Sequence, residues 1–244
     1  MNNSQPLLEL RNIRFSYGKE TPPILENLNF TIQDNSNSIG IIGPNGCGKT
    51  TFFQIIMGLL QADEGEVLLE GKQMTSKQDF QELRQQLGFL FQDSDDQLFS
   101  PTVLEDVAFG PLNMGKTADE ARDISIQTLE YLGLKNFEDR ITHKLSGGEK
   151  KLVALATILS MQPKLLLLDE PSNNLDPTTR ERLIAILREL KQAHIIISHD
   201  LDFLASTCSQ LYTITGNKLI RCEEKQVHSH EHIHPYGDRP HDHG

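Results

Sequence analysis

Nine consecutive residues, Gly43-Pro44-Asn45-Gly46-Cys47-Gly48-Lys49-Thr50-Thr51, constrain this chain more than any other stretch. They satisfy G-x-x-x-x-G-K-[ST] at every fixed position, the pattern of a phosphate-cradling P-loop. The apolar run Ile39 to Ile42 leads in and reads as a strand, and Thr51 to Leu60 follows and reads as a helix. Strand, glycine loop and helix in that order aim backbone N–H groups at one point beside a helix N-terminus, which makes an anion nest. Lys49 then places its ammonium on the β- and γ-phosphates, and Thr50 offers its hydroxyl to Mg²⁺. Asp169 is the candidate carboxylate for the shell of that ion. Cys47 occupies a variable position of the loop, where a thiol is tolerated rather than catalytic.

A second glycine pair lies about a hundred residues on. Leu145-Ser146-Gly147-Gly148-Glu149-Lys150-Lys151 opens an apolar helix running to Met161. Ser146 and Glu149 form a capping box by spacing. The box does not account for two glycines in a first helical turn, each costing about 1 kcal/mol against alanine. They are sensible if a large anion approaches that helix end, so Gly147 and Gly148 read as a second phosphate site.

The third feature is Lys164 to Leu168, a strand carrying four leucines and ending in Asp169-Glu170. Carboxylates at the carboxyl end of a parallel strand lie at the crevice where open α/β sheets bind ligands. Glu170 stands one peptide beyond Asp169, aimed at the water that would attack a γ-phosphate. As general base, or as a carboxylate that positions the water, it is worth about 10²–10⁴-fold in rate. His199 follows another apolar strand, Ala193 to Ser198, and can reach the same phosphate.

The remaining pattern alternates strands and helices. Leu7 to Phe15 and Ile24 to Ile32 read as strands, Asp63-Glu64-Gly65 as a turn into a strand at Glu66 to Glu70, and Ser76 to Gln86 as a helix. Gly88 to Phe91 is a strand that stops at Gln92. The acidic segment from Gln92 to Phe99 is irregular, and its Leu98-Phe99 pair reads either as a contact surface or as the start of the next buried helix. Leu104 to Phe109, Ala118 to Leu132 and Thr178 to Lys191 carry helical spacing, with Met114 and Ile126 expected in the core. Leu211 to Arg221 reads as a closing hairpin around Gly216-Asn217. Tyr17 stands at a strand end, where its ring either stacks on a purine or simply packs.

Bulk properties narrow the class. The chain has 244 residues and a net charge of −11, which argues against non-specific nucleic-acid binding. No apolar run nears the ~20 residues that span a bilayer, and Met1 to Gln5 lacks the makings of a signal peptide. The three cysteines have neither metal nor disulfide spacing, as in a reduced cytosolic chain. Six of the nine histidines crowd into the end of the chain, as His228-x-His230-x-His232-x-His234 and His241-x-His243. That segment, 226–244, is too polar to fold alone, and interleaved imidazoles suit nickel, cobalt, zinc or copper.

Taken in order, these motifs resemble the nucleotide-binding subunit of an ABC transporter over Leu7 to Glu223. Tyr17 matches the A-loop aromatic, Gly43 to Thr51 the Walker A motif, Gln92 the Q-loop and Ser146 to Glu149 the signature. Leu165 to Glu170 matches Walker B, Ser172 to Asp176 the D-loop and His199 the switch histidine. Phe91 to Gly115 is similar to the energy-coupling-factor subgroup. With the histidine-rich end, the chain is most similar to its cobalt and nickel importer ATPases. Glu149 stands where many relatives have Gln, Ser94 where this subgroup has Pro, and Leu152 where a basic residue is usual.

The resemblance implies an α/β P-loop NTPase fold over residues 1–225. It comprises a RecA-like core sheet, an N-terminal antiparallel β-subdomain and a helical subdomain near 93–160 carrying the signature. It implies ATP and Mg²⁺ as cofactors. The implied nucleotide contacts are Tyr17, Gly43, Asn45, Gly46, Cys47, Gly48, Lys49, Thr50 and Thr51, with Ser146, Gly147, Gly148, Glu149 and Asp176. Thr50, Gln92 and Asp169 serve the metal, and Glu170, His199 and Gln92 the hydrolysis. It further implies a head-to-tail pair of subunits, a homodimer, with ATP between the Walker A of one and the signature of the other. Integral membrane subunits dock near Gln92 to Phe99, at the cytoplasmic face of the cell membrane, and neither nucleic acid nor a lipid anchor is involved. Three other readings stand beside it: an importer ATPase for another substrate such as a vitamin, a metal-delivery GTPase, and a non-transport ABC ATPase acting on DNA or ribosomes. Asn217-Lys218-Leu219-Ile220 lacks the Asp of a guanine-reading motif, and the chain carries neither a long coiled-coil insertion nor a second ATPase copy.

Overall fold

The structure, a computed structural model, describes residues 5–33 and 38–222. The histidines from His228 to His243 lie outside the described residues.

Two sheets stack around α1. Strands β1 (Leu8–Phe15), β2 (Leu25–Ile32), β4 (Glu64–Leu69) and β5 (Lys72–Gln73) form an antiparallel sheet of order β2-β1-β4-β5. The second sheet runs β10-β9-β3-β8-β7-β6, built from β3 (Ser38–Ile42), β6 (Leu87–Leu90), β7 (Leu165–Asp169), β8 (Ala193–Ile197), β9 (Gln210–Thr215) and β10 (Lys218–Arg221). Strands β9, β3, β8, β7 and β6 are mutually parallel neighbours, and β10 closes the edge antiparallel to β9.

Alternation along β7 and β8 explains why these strands read as unbroken apolar runs. Leu165, Leu167, Ile195 and Ile197 point into a core shared with α1 (Lys49–Ile56) and the antiparallel sheet. Leu166, Leu168 and Ile196 point the other way, into a core shared with the later helices. Those helices are α3 (Val103–Asn113), α4 (Ala118–Tyr131), α5 (Gly147–Leu159), α6 (Pro177–Glu189) and α7 (Leu201–Thr207), and α3, α4 and α5 pack on one another. Helix α2 (Lys77–Gln86) links β5 of the antiparallel sheet to β6 of the other.

Helix starts follow the capping chemistry of the sequence. Ser76, Thr102, Thr117 and Ser146 each close a capping box with the acid three residues on, and Asp176 and Asp200 cap α6 and α7. Helix α1 differs: its N-cap is Gly48, with no side-chain cap and no acid in the first turn.

Several expectations need correction. Met114 is 43% exposed rather than core, because α3 ends at Asn113 and the chain turns outward through Gly115. Glu64 and Gly65 belong to β4, since Arg14 and Glu64 are register partners beyond a bulge in β1. Helix α1 stops at Ile56, and Gly58 at φ +65° carries the chain away over Phe80. Leu98 and Phe99 part company: Leu98 is half-buried against the second core, while Phe99 is exposed, and the helix begins only at Val103.

Candidate functional site: a phosphate cleft at the ends of parallel strands

The P-loop joins β3 to α1 at the carboxyl edge of the parallel sheet. Gly48 adopts φ +105°, a region that penalises side chains, and a Cβ there would come within 2.7 Å of Ile24 Cγ2. Gly46, by contrast, faces open space. Lys49 is buried and folds over the loop, donating to the carbonyls of Gly43 at 2.8 Å and Pro44 at 3.0 Å. These bonds use two of the three N–H donors of the ammonium and tie the loop into a ring.

Strand β7 brings the carboxylates to the same place. Thr50 Oγ1 donates to Asp169 Oδ2 at 2.9 Å. Asp169 Oδ1 is buried without a hydrogen-bond partner. A hydroxyl beside a carboxylate with a free oxygen is a donor set for a hard cation such as Mg²⁺. Burial pushes the Asp169 carboxyl up from its ordinary value, against the Thr50 hydrogen bond and the Lys49 charge. Glu170 is also buried, and burial is the largest cause raising its carboxyl, opposed by the nearby His199. His199 Nδ1 stands 3.0 Å from Glu170 Oε1. The Glu170 backbone sits at φ +48°, an uncommon conformation for a non-glycine residue and one that recurs at functional sites.

These groups line one cleft of 420 Å³, with Tyr17, Asn45, Gly46, Gly48, Lys49, Thr50, Thr51, Gln92, Asp169, Glu170 and His199 on its walls. Tyr17 is 62% exposed, its hydroxyl 2.9 Å from Thr51 Oγ1 and its ring edge-on to Phe15. Gly43 and Cys47 support the loop from behind, since a Cβ on Gly43 would meet Cys47 Sγ at 2.8 Å.

The remaining predicted contacts lie elsewhere. Ser146, Gly148, Glu149 and Asp176 do not line this cleft. Gly147 lines an adjoining one of 410 Å³, shared with Thr50, Gln92, Lys151 and Asp169. The two signature glycines also have different reasons. Gly147 has nothing within 4 Å of a would-be Cβ, whereas a Cβ on Gly148 would meet Thr179 Oγ1 at 2.9 Å. Gly148 thus has an internal packing reason that the anion argument overlooked. The Asp176 carboxylate is spent on capping α6, accepting from Thr179 N and Thr179 Oγ1.

Sequence reasoning missed the residues that hold these loops. Lys151 is buried, its ammonium pushed toward neutrality mainly by burial, and it donates to the carbonyls of Gln92 at 2.7 Å and Phe91 at 3.3 Å. Gln97 accepts from Phe91 N and donates to Ala154 O and Thr157 Oγ1. Together they fasten the end of β6 to α5. Arg180 grips Asp200 with two hydrogen bonds of 3.0 and 3.1 Å, bracing the segment just after His199. Lys151 carried a signal: it is a cation at a core position of an apolar helix.

This strand-loop-helix cradle beside a strand ending in two buried carboxylates defines a P-loop nucleotide hydrolase. Residues 25–173 match the family model described as "ABC transporter". A putative ABC transporter ATP-binding protein of Nitratidesulfovibrio vulgaris is 50% identical over 239 residues, covering 98% of this chain and 86% of that one. The energy-coupling factor transporter ATP-binding protein EcfA of Methanothermobacter thermautotrophicus is 41% identical, covering 88% and 70%. Among solved structures, cbiO1 from Clostridium perfringens, described as part of the ABC transporter complex cbiONQ, superposes with a TM-score of 0.80 at 34% identity, covering 88% and 87%. A dimeric ATP-binding cassette in a post-hydrolysis state, bound to ADP and Pi, gives 0.78 at 25% identity, covering 87% and 96%. The chain belongs to the ABC transporter family, as an ATP-binding, ATP-hydrolysing subunit of the energy-coupling-factor type. Among the described residues, no helix is long and apolar enough to cross a membrane.

Proposed function

We propose that this subunit works as a Mg²⁺-dependent homodimer beneath integral membrane subunits, at the cytoplasmic face of the cell membrane, and powers import of a divalent transition metal, nickel or cobalt. One observation carries the paired arrangement. The cleft of 420 Å³ holds the P-loop, Asp169, Glu170 and His199 together, while Ser146, Gly148 and Glu149 stand outside it. A second copy supplies the signature by presenting the N-terminus of its α5 at Gly147, where space is open, and two-fold symmetry completes both sites at once.

Within each site, the N–H groups of the uncapped α1 and the Lys49 ammonium take the β- and γ-phosphates. Tyr17 meets the purine. Thr50, Asp169 and Gln92 hold Mg²⁺, which supplies charge neutralisation on the phosphate oxygens when bound. Glu170 accepts a proton from the attacking water, and its raised affinity for protons in this buried setting suits a general base. His199, 3.0 Å from that carboxylate, holds it and reaches toward the γ-phosphate.

Partner docking is supported by exposed apolar side chains near Gln92 to Phe99. Phe99 is 67% exposed and packs edge-on at 4.8 Å against Phe109, itself 48% exposed, with Leu112 and Met114 exposed close by in sequence. The metal reading rests on the likeness of Phe91 to Gly115 to that subgroup and on the six histidines from His228 to His243, which suit local metal capture.

The test is purification of the chain with its membrane partners and reconstitution in vesicles. ATP-dependent accumulation of nickel or cobalt is expected. Accumulation of a vitamin instead would overturn the metal assignment, and absence of any co-purifying membrane protein would overturn the transport role.

A further inference from the structure

The signature end of α5 poses an electrostatic problem. A helix N-terminus carries about half a positive charge, yet Glu149 places a full negative charge in the first turn of this one. A triphosphate offered by another subunit would meet that carboxylate. The structure shows how the charge is contained. Glu149 Oε2 accepts from Ser146 N at 2.8 Å, and Glu149 Oε1 accepts from Arg140 Nη1 at 2.9 Å. Both oxygens are therefore drawn back from Gly147, where space is open.

Arg140 is itself fixed. Its guanidinium lies 3.6 Å from the centre of the Phe137 ring, its backbone N–H donates to Phe137 O, and its carbonyl accepts from Val103 N at the start of α3. Arg140 and Glu149 side chains are 48% and 33% exposed. An ion pair that open contributes little to stability, so its placement beside the signature calls for another explanation.

We propose that Arg140 is a positioning residue of the composite nucleotide site: it cancels and orients the Glu149 carboxylate so that the α5 N-terminus can receive the triphosphate held by a second copy of this chain. This rests on the paired-subunit reading above.

The experiment measures the Mg-ATP concentration that half-dimerises purified full chain carrying Glu170→Gln, by light scattering. Adding Arg140→Gln raises that concentration by about tenfold, the effect of one uncompensated charge at a few ångströms in a partly wet interface. Arg140→Lys retains most of the wild-type response. Glu149→Gln lowers the concentration, and combining it with Arg140→Gln abolishes the tenfold penalty. Melting temperatures of the nucleotide-free proteins stay within a few degrees. An Arg140→Gln protein that dimerises like its parent, or a penalty that persists in the double variant, overturns the proposal. A Glu170→Gln parent that stays monomeric at saturating Mg-ATP instead removes the paired-subunit reading, and this inference with it.

Discussion

The two glycine-rich helix starts, at α1 and at α5, are built in opposite ways. Helix α1 begins at Gly48 with no side-chain cap and no acid in its first turn. Helix α5 begins at Ser146 with a complete capping box and Glu149 in its first turn. Unsatisfied N–H groups at a helix start need a partner. At α1 no side chain fills that place, which under the proposed function leaves this end to bind phosphate by itself. At α5 the protein supplies much of the satisfaction internally, which under the proposed function suits an end that adds to a phosphate already held elsewhere. In the proposed paired arrangement the difference separates binding from closure: one terminus would capture nucleotide, and the other would read whether it has been captured.

That contrast can be broken most forcefully at the capturing end. Lys49→Ala deletes the ammonium that bridges the Gly43 and Pro44 carbonyls. Nucleotide affinity is expected to fall about 100-fold or more, as for loss of charge-assisted hydrogen bonds, measured by titration calorimetry. Undiminished binding would mean that the loop is not the capture site.

Glu170→Gln should leave capture intact and reduce turnover by about 10²–10⁴-fold. The same residue sets a pH dependence. Its carboxyl is raised above 4.5 because burial penalises the charged form in the folded state alone. The acid limb of kcat/KM, which reports the free enzyme, is therefore displaced upward from the ordinary carboxylate range. The linked stability has a definite sign. The penalty is present above the folded-state value and vanishes below the unfolded one, so Glu170→Gln melts higher than wild type at pH 7, and the gap shrinks as pH falls through that window.

Smaller effects sharpen the closing end. Gly148→Ala drives a methyl against Thr179 Oγ1 and should cost about 1–3 kcal/mol by overpacking, read in denaturant melts without nucleotide. Gly147→Ala meets nothing within 4 Å, so the isolated subunit keeps its stability while ATP-driven pairing weakens. Equal destabilisation by both would erase the distinction drawn between these glycines.

Much of this was legible in the residues. The P-loop, its flanking strand and helix, the capping box at Ser146 and the two-faced burial of β7 all follow from local pattern. What escaped was chemistry that depends on distant parts of the chain. Thr179 stands 31 positions from Gly148 in the numbering, and only the approach of its side chain to the start of α5 reveals why a glycine is needed there. Likewise Lys151 finds carbonyls at Phe91 and Gln92, and Arg180 finds Asp200, across folds that periodicity does not encode. The short α7 went unread because seven residues hold barely two helical turns, although Asp200 announced its cap. Met114 was misplaced because apolar character predicts burial only on average.

The most direct measurement is the mass in solution of the Glu170→Gln protein with and without saturating Mg-ATP. The account predicts a monomer that doubles in mass when nucleotide is added and returns to monomer when it is removed. A mass that stays at the 27.5 kDa of one chain throughout would contradict it.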